Sequence, residues 1–174
     1  VEQTELVNLF YEVFKLKNEY FSTFNEDIKS KYRPILAKIV NVFDDDKKVY
    51  AISKLSKNII KNTDFDKIKQ KRRENYTVLH EGLSGCEILI PLFTVLEEGI
   101  TPLYFTIYVH GDRTKIQNLL ADNEIYCPVI WPIPKCITDY YNDDSLSHFE
   151  QILSIPCDQR YNCSDMARVV DCIK

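Results

Sequence analysis

The segment most restrictive of the fold is 102–134, PLYFTIYVHGDRTKIQNLLADNEIYCPVIWPIP, which reads as strand, turn, helix, strand. Leu103, Phe105, Ile107 and Val109 alternate with Tyr104, Thr106 and Tyr108. Period two in β-branched and aromatic residues marks a strand with one buried face. His110-Gly111 ends it, and Asp112 is placed to cap a short helix by accepting from its first free amides. Ile116, Leu119 and Leu120 share a face of that helix, and Asn123 is expected to stop it in the left-handed conformation. The run from Ile125 to Trp131 is expected to return as a second strand at a sheet edge, because its proline cannot donate to a ladder.

The residues before 80 read as helical throughout. Leu6, Phe10, Val13, Phe14, Phe21 and Phe24 form one apolar stripe over 2–25. Ile35, Leu36, Ile39, Val40 and Phe43 form another over 34–43, which Pro34 is expected to open and Asp44-Asp45-Asp46 to close. A third helix is expected over 48–61 with Ile52, Leu55 and Ile59 inward. Thr63 or Asp64 then caps a long fourth, on which Phe65, Ile68, Arg72, Tyr76 and Leu79 share a face and which Gly82 and Gly85 stop. Beyond Gly85 the pattern turns mixed. A strand is expected over 88–94, a helical turn over 149–153, a short extended piece over 154–156, and a last helix opened by Asn162 with Asp165 in a capping box. The fold class expected is α+β: a helical N-terminal part over 1–63, then a unit over 64–174 with a small mixed sheet and helices on one side.

Charge and composition narrow the function classes. The net charge of -4 argues against a nucleic-acid footprint, so the basic run KIKQKRRENY is expected to be a solvated helix face. No apolar run approaches the roughly 20 residues that span a bilayer. No secretory leader is visible, and the chain is expected to be cytoplasmic; Val1 in place of Met marks it as processed, excised or part of a longer protein. Cys86, Cys127, Cys136, Cys157, Cys163 and Cys172 show no CxxC pair and are expected as reduced, mostly buried thiols, with no metal site. There is no glycine-rich phosphate loop, GxSxG or HExxH, and nothing fixes Cys136 and His148 together as a nucleophile and base. No catalytic residue is assigned.

From about residue 50 onward the order of features resembles the C-terminal half of the DegT/StrS-type sugar aminotransferases, fold type I enzymes that use pyridoxal phosphate (PLP). AISKLSKNII and IKQKRRENY match that family's serine-containing helix and its long helix ending in Arg-Arg-x-Asn. PLYFTIYV and GDRTKIQNLL match its strand and the helix with an early arginine. Trp131-Pro132-Ile133-Pro134-Lys135-Cys136 stands where the family has Tyr-Pro-x-Pro-x-His, and Glu150-Gln151-Ile152-Leu153-Ser154-Ile155-Pro156 precedes a final helix beginning in acidic residues.

The resemblance implies PLP in the full-length protein and a nucleotide-linked sugar as substrate. The chain also departs from the family. No lysine sits where a Schiff base to PLP would form, so none is expected to bind PLP covalently. Of the family's Asn-x-Arg-Met-Ser patch, which would fall on 49–53, only Ser53 remains as a cofactor contact. The resemblance leaves Trp131, Cys136, Arg113 and Arg160 as substrate-binding candidates: an aromatic platform, the residue in the histidine's place, and two bidentate donors for phosphate or carboxylate. Each has an ordinary alternative, Trp131 as a core or interface residue and Arg113 as a solvated first-turn charge. PLP supplies the electron sink and the protein supplies orientation and proton transfer. Three readings follow: the C-terminal part of an active aminotransferase, a non-catalytic descendant used for subunit association, or an unrelated α+β interaction module. The expected partner is a second copy or an N-terminal large domain, with neither nucleic acid nor membrane.

Overall fold

The computed structural model describes residues 4–45, 48–130, 133, 136, 140 and 148–174. The chain divides into two compact units, Val1–Thr63 and Asp64–Lys174.

In the first unit, α1 (Thr4–Thr23) and α2 (Glu26–Asp45) form a helical hairpin. Leu6, Val13 and Ile39 make its core, with Leu9, Phe10, Ile35 and Val42 packed around it. Helix α2 opens earlier than the sequence indicates. Asn25 accepts from the Asp27 amide at 2.9 Å, and Glu26 and Asp27 occupy the first turn. Pro34 therefore lies inside α2, where an interior proline costs about 3 kcal/mol. The buried residues Ile28 and Tyr32 ahead of it extend the stripe of Ile35 and Ile39, which explains why the helix continues through the proline. The third helix is also shorter than expected. α3 (Lys54–Lys61) is capped by Ser53 and buries none of its residues, and Ile52, Leu55 and Ile59 are exposed.

The second unit is built on a three-stranded sheet in the order β1-β2-β3: β1 (Leu89–Pro91), β2 (Tyr104–Val109) and β3 (Ile152–Pro156). The α+β class stands. Both pairings are antiparallel, so the sheet of described strands is antiparallel and not mixed. Register sets Ile90 opposite Tyr108 and Phe105 opposite Ile155. On β2 the alternation holds: Phe105, Ile107 and Val109 are buried and the residues between them half-buried.

Helices α4 (Phe65–Gly82), α5 (Arg113–Asp122) and α6 (Cys163–Ile173) pack around the buried face. From α4, Tyr76 meets Phe105 edge-on at 4.9 Å, and Leu79 and Leu83 are fully buried. Phe65, expected on that face, is exposed. α6 contributes Met166, Val169 and Val170. Where α4 meets α6, a Cβ on Gly82 would lie 2.5 Å from Val170 Cγ2. This glycine therefore permits close helix contact as well as ending a helix.

The caps follow the sequence. Asp112 accepts from Thr114 and Lys115, and Asn162 and Asp165 form a reciprocal capping box. The stop after α5 falls one residue late: Asn123 has φ -98°, and Glu124 takes the left-handed φ of 60°. Two strand expectations need correction. Residues 125–130 belong to no ladder, although Ile125 and Cys127 are buried and Tyr126 is exposed. The segment keeps a two-sided burial pattern without pairing, as suits a run whose proline lacks a donor. Ile152 and Leu153 belong to β3, and the helical turn before it covers 148–151.

Candidate functional site

The basic run on α4 divides: Lys67, Lys69, Gln70 and Glu74 are exposed, as expected of a solvated face, but Arg72 and Arg73 are half-buried. Arg73 donates to the carbonyls of Leu96, Glu97 and Ile100 at 2.7–3.2 Å, and Tyr76 Oη donates to the Phe93 carbonyl at 2.9 Å. Arg72 Nε donates to Gln159 Oε1 at 2.7 Å. Asn75 is completely buried, and its Nδ2 reaches the carbonyls of Cys157, Asp158 and Tyr161 at 3.3, 3.0 and 3.1 Å. One helical turn thereby fixes two loops, 93–100 and 157–161. The second loop carries Arg160.

Asp158 is 3% exposed and takes a two-pronged hydrogen bond from Arg160, Nε to Oδ1 and Nη2 to Oδ2, both at 2.8 Å. The Arg160 backbone amide adds a third donor at 3.0 Å. Burial pushes the Asp158 carboxyl up, but the hydrogen bonds and charge of Arg160 together outweigh it and hold it below the usual carboxylate value. The same pairing raises Arg160 further. The guanidinium also lies over the Tyr161 ring, 5.4 Å from its centroid.

Arg160 lines an open groove of about 350 Å³ with Tyr104, Gln117, Tyr126, Cys127 and Tyr161. Gln117 Nε2 donates to the Cys127 carbonyl at 2.9 Å, tying α5 to the 125–130 segment. The Cys127 thiol is pushed up to about 12 by burial, so it is no nucleophile near neutral pH. Three phenol rings, an amide and an oriented guanidinium can stack on and hydrogen-bond a ligand. These are groups for recognition: rings that stack and polar atoms that hydrogen-bond.

The structure does not gather the sequence candidates into one place. Arg113, at the start of α5, is half-buried and donates from Nη1 to the Phe149 and Ile152 carbonyls at 3.3 and 3.5 Å. It ties a helix to the first residue of β3, while Arg160 stands four residues past the other end of that strand. Ser53 belongs to the first unit. Its hydroxyl caps α3, accepting from the Ser56 amide at 3.0 Å and donating to the Ser56 hydroxyl at 2.9 Å. Cys136 is exposed, and Trp131 lies outside the described residues. Sequence reasoning missed Asn75, Asp158 and the three tyrosines. Asp158 and Arg160, two residues apart in a loop, gave a readable signal for a local carboxylate–guanidinium pair. The tyrosines gave none.

The described lysines do not fit a covalent PLP site. None among the described residues is buried; Lys54, Lys57 and Lys61 are exposed on or at the end of α3. Ser53, the one remaining cofactor contact of the family pattern, has its hydroxyl engaged in its own helix cap. Among the described residues no cluster of His, Cys, Asp and Glu could hold a metal ion, and no helix is long and apolar enough to cross a membrane.

Comparison with known proteins places this geometry. Sugar aminotransferase CalS13 from Micromonospora echinospora is 19% identical with a TM-score of 0.54, over 63% of this chain and 31% of that one. DesV of S. venezuelae, solved in complex with a ketimine intermediate, is 16% identical with a TM-score of 0.55, over 82% of this chain and 44% of its own. The E. coli GDP-4-keto-6-deoxy-D-mannose-3-dehydratase with bound hydrated PLP is 13% identical with a TM-score of 0.56, over 76% and 40%. These likenesses are of fold, and the chain spans less than half the length of each. No curated protein matches it. The model of the DegT/DnrJ/EryC1/StrS aminotransferase family matches residues 59–174, which is the α+β unit together with the end of α3, and the chain belongs to that family.

Proposed function

We propose that this chain is the C-terminal part of a PLP-dependent aminotransferase acting on nucleotide-linked sugars, to which it supplies a recognition wall and not the Schiff-base lysine. The observation that carries this reading is the Arg160 groove. A guanidinium held in a fixed plane by a buried carboxylate stands beside Tyr104, Tyr126 and Tyr161. A nucleoside diphosphate sugar offers what such a surface recognises: charged phosphate oxygens for the guanidinium, and flat or apolar faces for the rings. Asp158 orients Arg160 but partly offsets its charge, so modest affinity is expected from this wall alone. Family membership excludes the unrelated interaction module.

The test is a calorimetric titration of the chain with a nucleoside diphosphate hexose, alongside treatment with PLP and borohydride. Saturable binding that Arg160→Ala weakens about tenfold, with no stoichiometric adduct on any one lysine, is the expected result. No saturable binding at millimolar ligand contradicts the groove assignment. A stoichiometric adduct on one lysine contradicts the assignment of the lysine elsewhere. A second reading, a non-catalytic descendant, is favoured by the exposed lysines and by Ser53 engaged in its cap. It predicts that nucleotide sugars and inorganic phosphate bind equally weakly.

A further inference from the structure

Tyr104 lines two concavities of the α+β unit. One is the Arg160 groove. The other is a hollow of about 370 Å³ between α4 and the loop 93–102, where Tyr104 is joined by Tyr76, Phe93, Val95, Ile100 and Pro102. Its size is that of a small-ligand site. Tyr76 and Pro102 are buried, whereas Phe93, Val95 and Ile100 are 59%, 72% and 49% exposed. Large apolar side chains gathered around a hollow and still facing solvent are what a ligand would cover.

Hydrogen bonds hold this hollow in shape. The carbonyls of Phe93, Leu96, Glu97 and Ile100 turn toward α4, where Tyr76 Oη and the Arg73 guanidinium donate to them. Four loop acceptors are thus satisfied within the protein, and what remains for a ligand is mostly ring and aliphatic surface. A wall fixed in advance spares a ligand the cost of ordering it. Charge changes sign along the lining. Glu97 is the one charged residue of the hollow. At the Tyr104 wall the neighbouring charge is positive: Tyr104 lines the groove with Arg160 and stands close enough to act on its guanidinium.

We propose that this hollow seats the base of a nucleoside diphosphate sugar, with the ribose against Tyr104 and the diphosphate at Arg160. The inference rests on the nucleotide-sugar reading of the groove and adds to it a second subsite and the direction in which the ligand lies. Three observations select a base. Three of the lining residues, Tyr76, Phe93 and Tyr104, are aromatic, and rings favour a flat occupant on which they can stack. The Glu97 carboxylate repels a phosphate from the hollow while Arg160 attracts it to the groove, so the uncharged end of the ligand faces Tyr76. The two concavities meet at a single phenol ring, and a ribose is the spacer that carries a base past such a ring to a diphosphate.

The test is calorimetric titration of the full chain with uridine diphosphate glucose, guanosine diphosphate mannose and inorganic pyrophosphate. The tighter of the two sugar nucleotides is expected to bind about tenfold more strongly than pyrophosphate, as stacking of one base on aromatic side chains provides. Val95→Trp, at the most exposed position of the lining, puts an indole into the hollow. It is expected to abolish the nucleotide's advantage and leave pyrophosphate binding unchanged. Phe93→Ala, which removes a ring from the rim, should reduce that advantage without altering the urea melt of the α+β unit. Arg160→Ala should weaken all three ligands. Equal affinity for nucleotide and pyrophosphate, both weakened by Arg160→Ala, would leave the groove standing and overturn the base subsite. A nucleotide preference untouched by Val95→Trp and Phe93→Ala would put the base elsewhere and overturn it too. Absence of binding by every probe at millimolar concentration would overturn the groove reading itself, and this inference with it.

Discussion

The two units bury their apolar residues by different means. In the α+β unit, three helices pack around a sheet, and residues from every one of these elements meet in one cluster: Leu79, Leu89, Phe105, Leu120, Ile155 and Met166 are at most 2% exposed. The hairpin has only two elements, and two helices can cover one stripe each. Val13 and Ile39 reach the same depth, while Phe14 and Val40, one residue further along, stay half exposed. A single helix pair lacks the second layer around which a self-sufficient core forms. One unit therefore closes a core around its sheet, while the other leaves large apolar side chains exposed.

Substitution in the two cores should sharpen this contrast most. Phe105→Ala removes a fully buried ring and is expected to cost about 3–5 kcal/mol in the α+β unit. Val13→Ala should cost the hairpin only about 1–2 kcal/mol, since fewer neighbours surround it, and leave the α+β unit untouched. Urea melts followed by tyrosine emission and far-ultraviolet dichroism read the two effects separately. A comparable loss from both substitutions would break the comparison.

Asn75→Ala comes next. It strips three carbonyls of their shared donor and is expected to cost about 1–3 kcal/mol. Because those carbonyls belong to the Arg160 loop, amide exchange at 157–161 should rise more than exchange at β2. Uniform acceleration would show that Asn75 serves the core generally and not that loop.

The smallest effect is electrostatic. The Asp158 carboxyl titrates below its usual value, so its contribution to stability is complete above an unfolded pKa of about 3.9 and is lost as pH falls through the lower folded value. Asp158→Asn should flatten that acid limb of the α+β unit and leave the hairpin's pH profile unchanged. An unchanged acid limb would mean that Arg160 does not act on this carboxylate in solution.

What the sequence disclosed follows the range of each interaction. The Asp112 cap, the Asn162–Asp165 box and the alternation on β2 depend on residues within a few positions of one another, and all are found. β3 was seen only in part: 154–156 was expected extended, but Ile152 and Leu153 were given to the helical turn, because so short an apolar stretch is not separated from a turn by periodicity and the partner on β2 lies some fifty residues away. The 125–131 run shows the reverse: burial alternates along its described part without a ladder, because the pattern reports faces and not pairing. Pro34 was read as a helix start because the buried stripe extending back to Ile28 and Tyr32 was not recognised. At the candidate site, Arg73 looked solvated because its acceptors are backbone oxygens of a distant loop, and a carbonyl leaves no mark in a sequence; the partner of Arg72, the Gln159 side chain, lies 87 residues away.

The central claim is that residues 64–174, the α+β unit of this family member, bury a core of their own. Expressing residues 64–174 alone tests it most directly. The prediction is a single cooperative urea transition with the ellipticity of the Tyr76–Phe105 environment retained, and amides of β2 and β3 protected as strongly as in the full chain. A gradual transition with exposed apolar surface and no protected strand amides would contradict it.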